Sequence, residues 1–336
     1  MRTVSIIFCF VVGLVLGLWP TEPKAQTTLL VPFPHVEGKI IQAQLEYGQG
    51  MLLSEVDANT GNSSNIGSWL PAITGVADMA TSVISSTYYQ PVIENNDPTR
   101  VMLRTNTATG QSSTIAMDKL ADVNGLESNG TDLYAVRFKG AYNISIMQFN
   151  IVQKNLELEI VNMTEFETVL AGVTAYDKAN NDFYFEASTN GLRQLVIVNT
   201  ITGQYRWFTL HGWQFYHFDI KDGKVYGVTE TAEIGSLLIP SKRYFVVFNP
   251  ISGLIEEEIE LEDEGVLQGA GGFDATGDYI WPGADEEGDK LYAVNSEGQL
   301  TEDLVITGNK ALNAGQLVGF AITTEQVKIY LPILFK

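Results

Sequence analysis

The stretch VNTITGQY (Val198–Tyr205) reads as the end of one β-strand, a tight turn and the start of the next strand. The side chain of Asn199 can bond backbone groups inside the turn, and Gly203 can adopt the positive φ that such a turn requires. The preceding LVIV and the following YRWFTL are rich in β-branched and aromatic residues, which favour strands. The stretch therefore predicts a β-hairpin.

The same turn pattern recurs five more times along the chain. The other copies are VDANTGNS from Val56, TNTATGQS from Thr105, FNIVQKNL from Phe149, FNPISGLI from Phe248 and VNSEGQLT from Val294. Their Asp or Asn anchors follow one another at separations of 49, 44, 49, 50 and 46 residues. A period of this length indicates a repeat architecture in which each repeat is one supersecondary unit.

A second repeating element lies between the hairpins. It reads VTAYDKANNDFYF from Val173, YHFDIKDGKVYGV from Tyr216 and GGFDATGDYIW from Gly271, with a looser copy, NGLESNGTDLYAV, from Asn124. Each copy is an apolar strand, an acidic residue, a polar turn and a second strand. The acids at this position are Glu127, Asp177, Asp219 and Asp274, and we interpret the three Asp residues as acceptors of backbone N–H bonds in these turns.

Together the two elements give four strands per repeat and predict an all-β fold, a six-bladed β-propeller of four-stranded antiparallel blades. The C-terminal QLVGFAITTEQVKIYLPILF supplies an innermost strand and its neighbour, and it follows the last full repeat. We expect these strands to complete the blade begun near the N-terminus, because closure removes exposed sheet edges. A seven-bladed ring with one degenerate blade is the alternative.

The N-terminal residues carry an early Arg2 and then an uncharged apolar run from Val4 to Trp19. This pattern is typical of a secretory signal peptide, with cleavage expected near Ala25. We therefore predict a signal peptide over residues 1–25 and a single propeller domain over residues 26–336. The mature protein is expected to be secreted or periplasmic, without a transmembrane segment; an uncleaved membrane anchor is the alternative.

The chain is strongly acidic, with a formal net charge of −20. Loss of Arg2, Lys24 and Glu22 with the signal peptide changes this charge to −21. Such a surface repels nucleic acid and favours solubility, basic partners or divalent cations. Cys9 is the single cysteine, so the mature chain has no internal disulfide and must rely on a large core. We expect a monomer.

The repeats FDIKDGKVYG from Phe218 and FDATGDYIW from Phe273 resemble those of six-bladed propellers of the NHL, YWTD and gluconolactonase-like groups. This resemblance covers most of the mature chain, although the YWTD tetrapeptide itself is absent. It implies the architecture, which lactonases, lyases, receptor modules and scaffolds share.

Gluconolactonase-like enzymes hold a divalent metal with carboxylate and amide groups at the channel entrance. On this resemblance, the corresponding amides that precede inner strands are Asn124, Gln214, Gln268 and Asn313. Asp122 is the carboxylate placed beside them. The resemblance thus implies a Ca²⁺ site at Asp122 and Asn124, since calcium prefers such oxygen ligands.

The regular turns predict one face of the propeller, so the irregular segments fall on the opposite face, where loops commonly carry binding residues. These segments are 85–100, 229–243 and 282–290. The polar and aromatic stretch WFTLHGWQFYHF (Trp207–Phe218) leads into an inner strand. It predicts His211, Trp213 and Gln214 as ligand-binding residues near the channel mouth. Alternatively, these aromatics pack between blades, and His217 within the strand is interpreted as structural.

Three functions fit these patterns. The first is a binding or scaffold module for a protein, small-molecule or carbohydrate ligand, acting through the irregular face. The second is a Ca²⁺-dependent lactonase or related hydrolase at the channel mouth, and the third is a lyase that uses His211 as acid or base. The sequence contains no GxSxG, HExxH, P-loop or dinucleotide fingerprint in the required context, which favours the binding module.

Overall fold

The structure is a computed structural model that describes most of the chain. The described residues are 30–76, 81–97, 99–117, 120, 122–151, 156–231, 242–261, 271–285, 288–308 and 317–323. Within these ranges the chain forms strands and turns, and no helix there is long and apolar enough to cross a membrane.

The first half of the described chain builds three blades. Blade 1 receives β1 (Lys39–Glu46), β2 (Gly50–Val56) and β3 (Asn62–Leu70). In blade 2 the innermost strand is broken into β4 (Ile73–Val76) and β5 (Ser82–Ile84), both paired to β6 (Thr87–Glu94), which is followed by β7 (Arg100–Asn106) and β8 (Ser112–Ala116). Blade 3 contains β9 (Val123–Ser128), β10 (Leu133–Phe138), β11 (Ile144–Asn150) and β12 (Leu156–Met163).

The second half builds three more blades and returns to the first. Blade 4 contains β13 (Thr168–Asp177), β14 (Asp182–Thr189), β15 (Leu192–Asn199) and β16 (Tyr205–Thr209). Blade 5 contains β17 (Trp213–Lys221), β18 (Lys224–Thr231), β19 (Arg243–Asn249) and β20 (Leu254–Leu261). Blade 6 contains β21 (Gly272–Phe273), β22 (Tyr279–Asp285), β23 (Gly288–Val294) and β24 (Leu304–Val305). The last strands are β25 (Thr307–Gly308) and β26 (Leu317–Thr323).

These sheets form a closed ring and confirm the predicted six-bladed propeller. Consecutive strands of a blade pair antiparallel, and the innermost strands contact one another around the centre in the order β5, β9, β13, β17, β21 and β26. The architecture is therefore the one that the repeats predict.

Blade 1 is held by strands from both ends of the chain. β26 pairs antiparallel with β1 from Lys39↔Thr323 to Gln44↔Leu317 and forms the innermost strand of the blade. On the outer edge, β25 runs parallel to β3, and the Thr307 N–H donates to the Gly61 carbonyl at 2.8 Å. The ring closure is confirmed, with one correction. Because β1 already occupies the position beside β26, the neighbouring strand comes from the N-terminal part, and the second predicted C-terminal strand lies outside the described residues.

The repeated turns have the predicted structure. In VNTITGQY, the backbone N–H groups of Ile201 and Thr202 donate to Asn199 Oδ1 at 3.3 and 3.0 Å. Gly203 has a φ of 70°. The same side-chain acceptor is present at Asp57, Asn106, Asn249 and Asn295. The copy at Asn150 continues into residues 152–155, which lie outside the described residues.

The core lies between the blades. In β14, Phe183 and Phe185 pack with the blade 3 residue Val136, whereas Tyr184 between them packs with Phe215 of blade 5. This alternation follows from the strand, in which successive side chains point to opposite faces of the sheet. Each blade is thus apolar on both faces, and stability depends on the contact between blades.

Gly61 and Gly298 each close a repeated turn, four residues after Asp57 and three residues after Asn295, and they offer a test of the ring closure. Both have positive φ, 71° and 79°, so alanine at either position costs about 1–2 kcal/mol in the left-handed conformation. A Cβ at Gly61 would also overlap the Val305 carbonyl oxygen, whereas a Cβ at Gly298 meets only Glu257 Oε2 at 3.7 Å. We expect Gly61→Ala to lower the free energy of unfolding clearly more than Gly298→Ala, as measured by denaturant titration. Equal losses would contradict the closure contact.

Candidate functional site

A cavity of about 290 Å³ occupies the centre of the propeller. Its lining includes residues of the six innermost elements, among them Ser82 of β5, Glu127 of β9, Asp219 of β17 and Phe320 of β26. The closed ring brings these residues together, although they are distant in the sequence. The size is near the lower end of small-molecule sites in proteins.

The cavity opens towards the face that carries the regular turns. Lys178 follows β13, Gly130 follows β9, and both residues line the cavity while being exposed. The turns after β9 and β13 connect the first and second strands of their blades. The described opening is thus on the opposite face from the one on which the irregular segments were predicted.

Glu127 and Asp219 each reach across to the next blade. The Thr174 hydroxyl of β13 donates to Glu127 Oε1 at 2.9 Å. Asp219 Oδ2 accepts the Phe273 N–H of β21 at 3.1 Å, and its Oδ1 accepts the Ile220 N–H at 2.7 Å. Both carboxyl groups therefore connect innermost strands around the cavity.

These contacts correct the turn role that the repeat predicted for one of the three Asp residues, Asp219. Asp177 and Asp274 do accept N–H groups of their own turns, at 2.9 Å from Ala179 and from Thr276. Asp219 instead lies within β17, before the turn at Asp222–Gly223, and its Oδ2 accepts an N–H group of blade 6. Glu127 likewise lies within β9 and accepts a side-chain hydroxyl of blade 4.

Burial perturbs both carboxyl groups. Burial raises the pKa of Glu127 well above its ordinary value, and the charge of Asp219 raises it further. Burial also raises the pKa of Asp219. The Lys178 ammonium lowers the pKa of both groups, but this effect is smaller than that of burial. The cavity thus holds two carboxyl groups, and the protein itself compensates their ionisation only partly.

His217 forms another part of the cavity wall and is 2% exposed. Its Nδ1 bonds the Tyr279 hydroxyl at 2.8 Å, and the two rings stack at 5.8 Å between centroids. Nε2 has no hydrogen-bond partner in the described part of the chain. Burial lowers the pKa of His217 to about 3, so the imidazole is neutral at ordinary pH. A Cβ at Gly271 would overlap this ring, which explains the glycine there.

The predicted ligand residues His211 and Trp213 lie elsewhere. They line a groove of about 550 Å³ between blades 4 and 5, together with Leu210, Phe215 and Leu254. His211 is exposed with a φ of 38°, and Trp213 packs edge-to-face on Tyr244 at 5.5 Å. This groove is separate from the channel cavity, because the two share no lining residue.

Gln214 takes part in a contact between blades 4 and 5. Its Oε1 accepts a hydrogen bond from Arg193 Nη2 at 3.2 Å, and beside it Glu186 Oε2 accepts the Phe215 N–H at 2.9 Å. Glu186 is fully buried, and Arg193 Nε lies 3.6 Å from its Oε1. The side chain of Gln214 thus has a structural partner, and its ligand role stays a prediction.

The predicted metal residues also have protein partners. Arg137 Nη2 lies 3.1 Å from Asp122 Oδ2, and Asn124 Nδ2 donates to the Asp122 carbonyl at 2.9 Å. Gln268 and Asn313 lie outside the described residues. Among the residues that the structure does describe, no three His, Cys, Asp or Glu side chains form a group that could hold a metal. Calcium at Asp122 and Asn124 remains a prediction.

The irregular segments are more regular than their sequence indicated. Residues 85–100 contain β6 and a turn in which Asn95 and Asn96 have positive φ, and residues 282–290 contain the ends of the β22–β23 hairpin. Most of 229–243 lies outside the described residues. Ligand binding through this face stays a prediction.

The fold and its cavity define a class: six-bladed β-propellers with a small central cavity. TolB from Acinetobacter baumannii has a similar structure, with a TM-score of 0.60 and 11% identity over 86% of this chain and 67% of that one. A candidate 6-phosphogluconolactonase from Bacteroides uniformis is also similar, with a TM-score of 0.52 and 12% identity over 85% of this chain and 100% of that one. A protein from Lactobacillus plantarum has a TM-score of 0.51 and 9% identity, over 85% of this chain and 99% of that one. No family model and no curated protein matches the chain. At these identities the similarity establishes the propeller fold alone.

The buried Glu186 predicts a pH dependence of stability. Burial raises its pKa to about 8, despite the Phe215 N–H bond and the charge of Arg193. The unfolded chain ionises this group near its ordinary value of 4.5, so the folded state binds more protons between these two values. The contribution of Glu186 to stability is therefore full below the lower value and is lost as the pH rises towards about 8.

We expect Glu186→Gln, whose amide oxygen can still accept the Phe215 N–H, to remove this pH dependence. Its melting temperature should rise relative to the wild type as the pH increases across that interval, as measured by calorimetry. The exposed Glu260, which pairs with Lys242 at 2.6 Å, provides the control, and Glu260→Gln should show no such relative rise. Parallel curves for Glu186→Gln and the wild type would contradict the assignment.

Proposed function

We propose that the protein is an exported, non-catalytic binding propeller that holds a small ligand in its central cavity. The observation that carries this proposal is the convergence of polar groups on one enclosed space. Two carboxyl groups, an amine and an imidazole from three blades line the same cavity. Enclosed sites with a few convergent polar groups are the usual form of small-molecule sites.

The state of His217 supports binding over acid–base catalysis. A general base at neutral pH needs a pKa near 7. Burial holds the pKa of His217 at about 3, and its Nδ1 is already bonded to Tyr279. The imidazole therefore serves as a fixed polar contact. His211, proposed as the acid or base of a lyase, lines the groove between blades instead.

A metal-assisted lactonase is the competing function, and the similarity to a candidate 6-phosphogluconolactonase is its support. That similarity concerns the fold, and fold does not determine activity. The two functions make different predictions for a lactone incubated with the protein. A lactonase hydrolyses the lactone, whereas a binding propeller leaves it unchanged.

The three histidines of the chain make ligand position directly measurable. In protein labelled with ¹⁵N at histidine, a ligand in the channel should shift the His217 imidazole signal. The exposed His35 and His211 should keep theirs, and His35→Gln and His211→Gln variants assign the three signals. Ligands from a panel of amines, acids, sugars and lactones should also stabilise the protein, by about 2.7 kcal/mol at a hundredfold excess over Kd.

Two results would overturn the proposal. One is hydrolysis of a lactone or ester by the purified protein that is lost when Asp122 is replaced by Asn. The other is a panel whose binders shift His211 and leave His217 unchanged, which would place the site in the groove between blades.

A further inference from the structure

The charges around the channel cavity are unequal. Its described lining carries the carboxyl groups of Glu127 and Asp219 and one ammonium group, that of Lys178. His217, the remaining titratable imidazole, is neutral at ordinary pH. With both carboxyl groups ionised, the lining has an excess of one negative charge. A ligand with one positive charge would balance it.

The lysine lies at the edge of this arrangement. Lys178 is exposed at the mouth, whereas Glu127 and Asp219 are partly buried and bonded to neighbouring blades. Solvent screens the ammonium group more than the carboxyl groups, since effective charge interactions weaken with exposure. A cation is therefore stabilised more in the interior of the cavity, beside the carboxyl groups, than at the mouth, beside Lys178.

His217 adds an independent sign of a ligand. It is almost completely buried, it lines the cavity, and its Nε2 has no partner among the described residues. Buried polar atoms are normally hydrogen-bonded. When Nδ1–H donates to the Tyr279 hydroxyl, Nε2 carries a lone pair and can accept an N–H group.

Resting on the proposed binding function, we propose that this cavity binds a small organic cation with a primary ammonium or guanidinium group. Its N–H groups donate to the carboxylates of Glu127 and Asp219. Lys178 at the mouth competes with the ligand for the same carboxylates. A divalent metal ion is a poorer fit, because the described chain brings no third carboxylate or other metal-binding group to the two acids.

Cation binding should be coupled to proton release. Burial and the charge of Asp219 raise the pKa of Glu127, so the empty cavity favours its protonated form. A bound cation favours the ionised form and expels the proton. Lys178 is the other charge facing Glu127, and it lowers the pKa of that carboxyl group. Affinity for the cation should therefore rise as the pH increases above the ordinary carboxyl pKa of 4.5.

The test compares three probes of similar size, n-butylammonium, butanol and butyrate, by titration calorimetry and by the His217 ¹⁵N signal. We expect butylammonium to bind and to shift His217, and its guanidinium analogue to do the same. Butanol and butyrate should bind at least about tenfold more weakly, because charge-assisted hydrogen bonds are lost or the charge is repelled.

Three variants give the sign of the effect. Glu127→Gln and Asp219→Asn should weaken butylammonium binding about tenfold or more while leaving butanol unaffected. Lys178→Gln should tighten it about two- to fivefold, because the competing cation is removed. The exposed pair Lys242 and Glu260 supplies matched controls. Lys242→Gln and Glu260→Gln should change neither the affinity for butylammonium nor that for butanol. Lys178 is exposed, so its variant tests the proposal even if a buried variant fails to fold.

The outcomes separate this inference from the proposed function. Preferential binding of butyrate or butanol in the channel, or weaker butylammonium binding by Lys178→Gln, would overturn the cation site while leaving a binding propeller intact. Binding of a divalent metal that excludes butylammonium would overturn it as well. If no member of the full panel shifts His217, the proposed function itself fails.

Discussion

The antiparallel pairing of β26 with β1 is the interaction on which the rest of the molecule depends. It joins residues from opposite ends of the chain, from Lys39↔Thr323 to Gln44↔Leu317. Each blade is apolar on both faces, so an open ring would expose two such faces and two sheet edges to water. The parallel contact of β25 with β3 supports the same blade from outside. Closure thus completes the hydrophobic cluster that joins blade 1 with blade 6.

Closure also creates the candidate site. The innermost strands come close only when the ring is complete, and their side chains then share one enclosed space. Partial burial in that space makes charge costly, which raises the pKa of Glu127 and Asp219 and lowers that of His217. A ligand of complementary charge relieves this cost. The proposed binding function and the stability of the ring are therefore linked through the same strands.

Local interactions allowed the repeat to be predicted from the sequence, but they did not allow the site to be predicted in the same way. The turn at Asn199 and Gly203 could be predicted because the hydrogen bonds that close it lie within eight residues. The roles of the acidic residues were harder to predict, because Asp177 and Asp219 occupy similar places in the repeat. Asp177 directly starts its turn, whereas Ile220 and Lys221 separate Asp219 from the turn at Asp222–Gly223. That spacing is the signal in the sequence that distinguishes a turn former from a residue that reaches the next blade.

The sequence by itself determined the strands, the turns, the length of the repeat and the need for closure, because each depends on neighbouring residues or on a regular period. Only the tertiary structure decided that Glu127, Lys178, His217 and Asp219 share a cavity and that His211 and Trp213 line another groove. The physical reason is that these contacts join residues of different blades. Their positions follow from the stacking of the blades around a common axis, which no local pattern encodes.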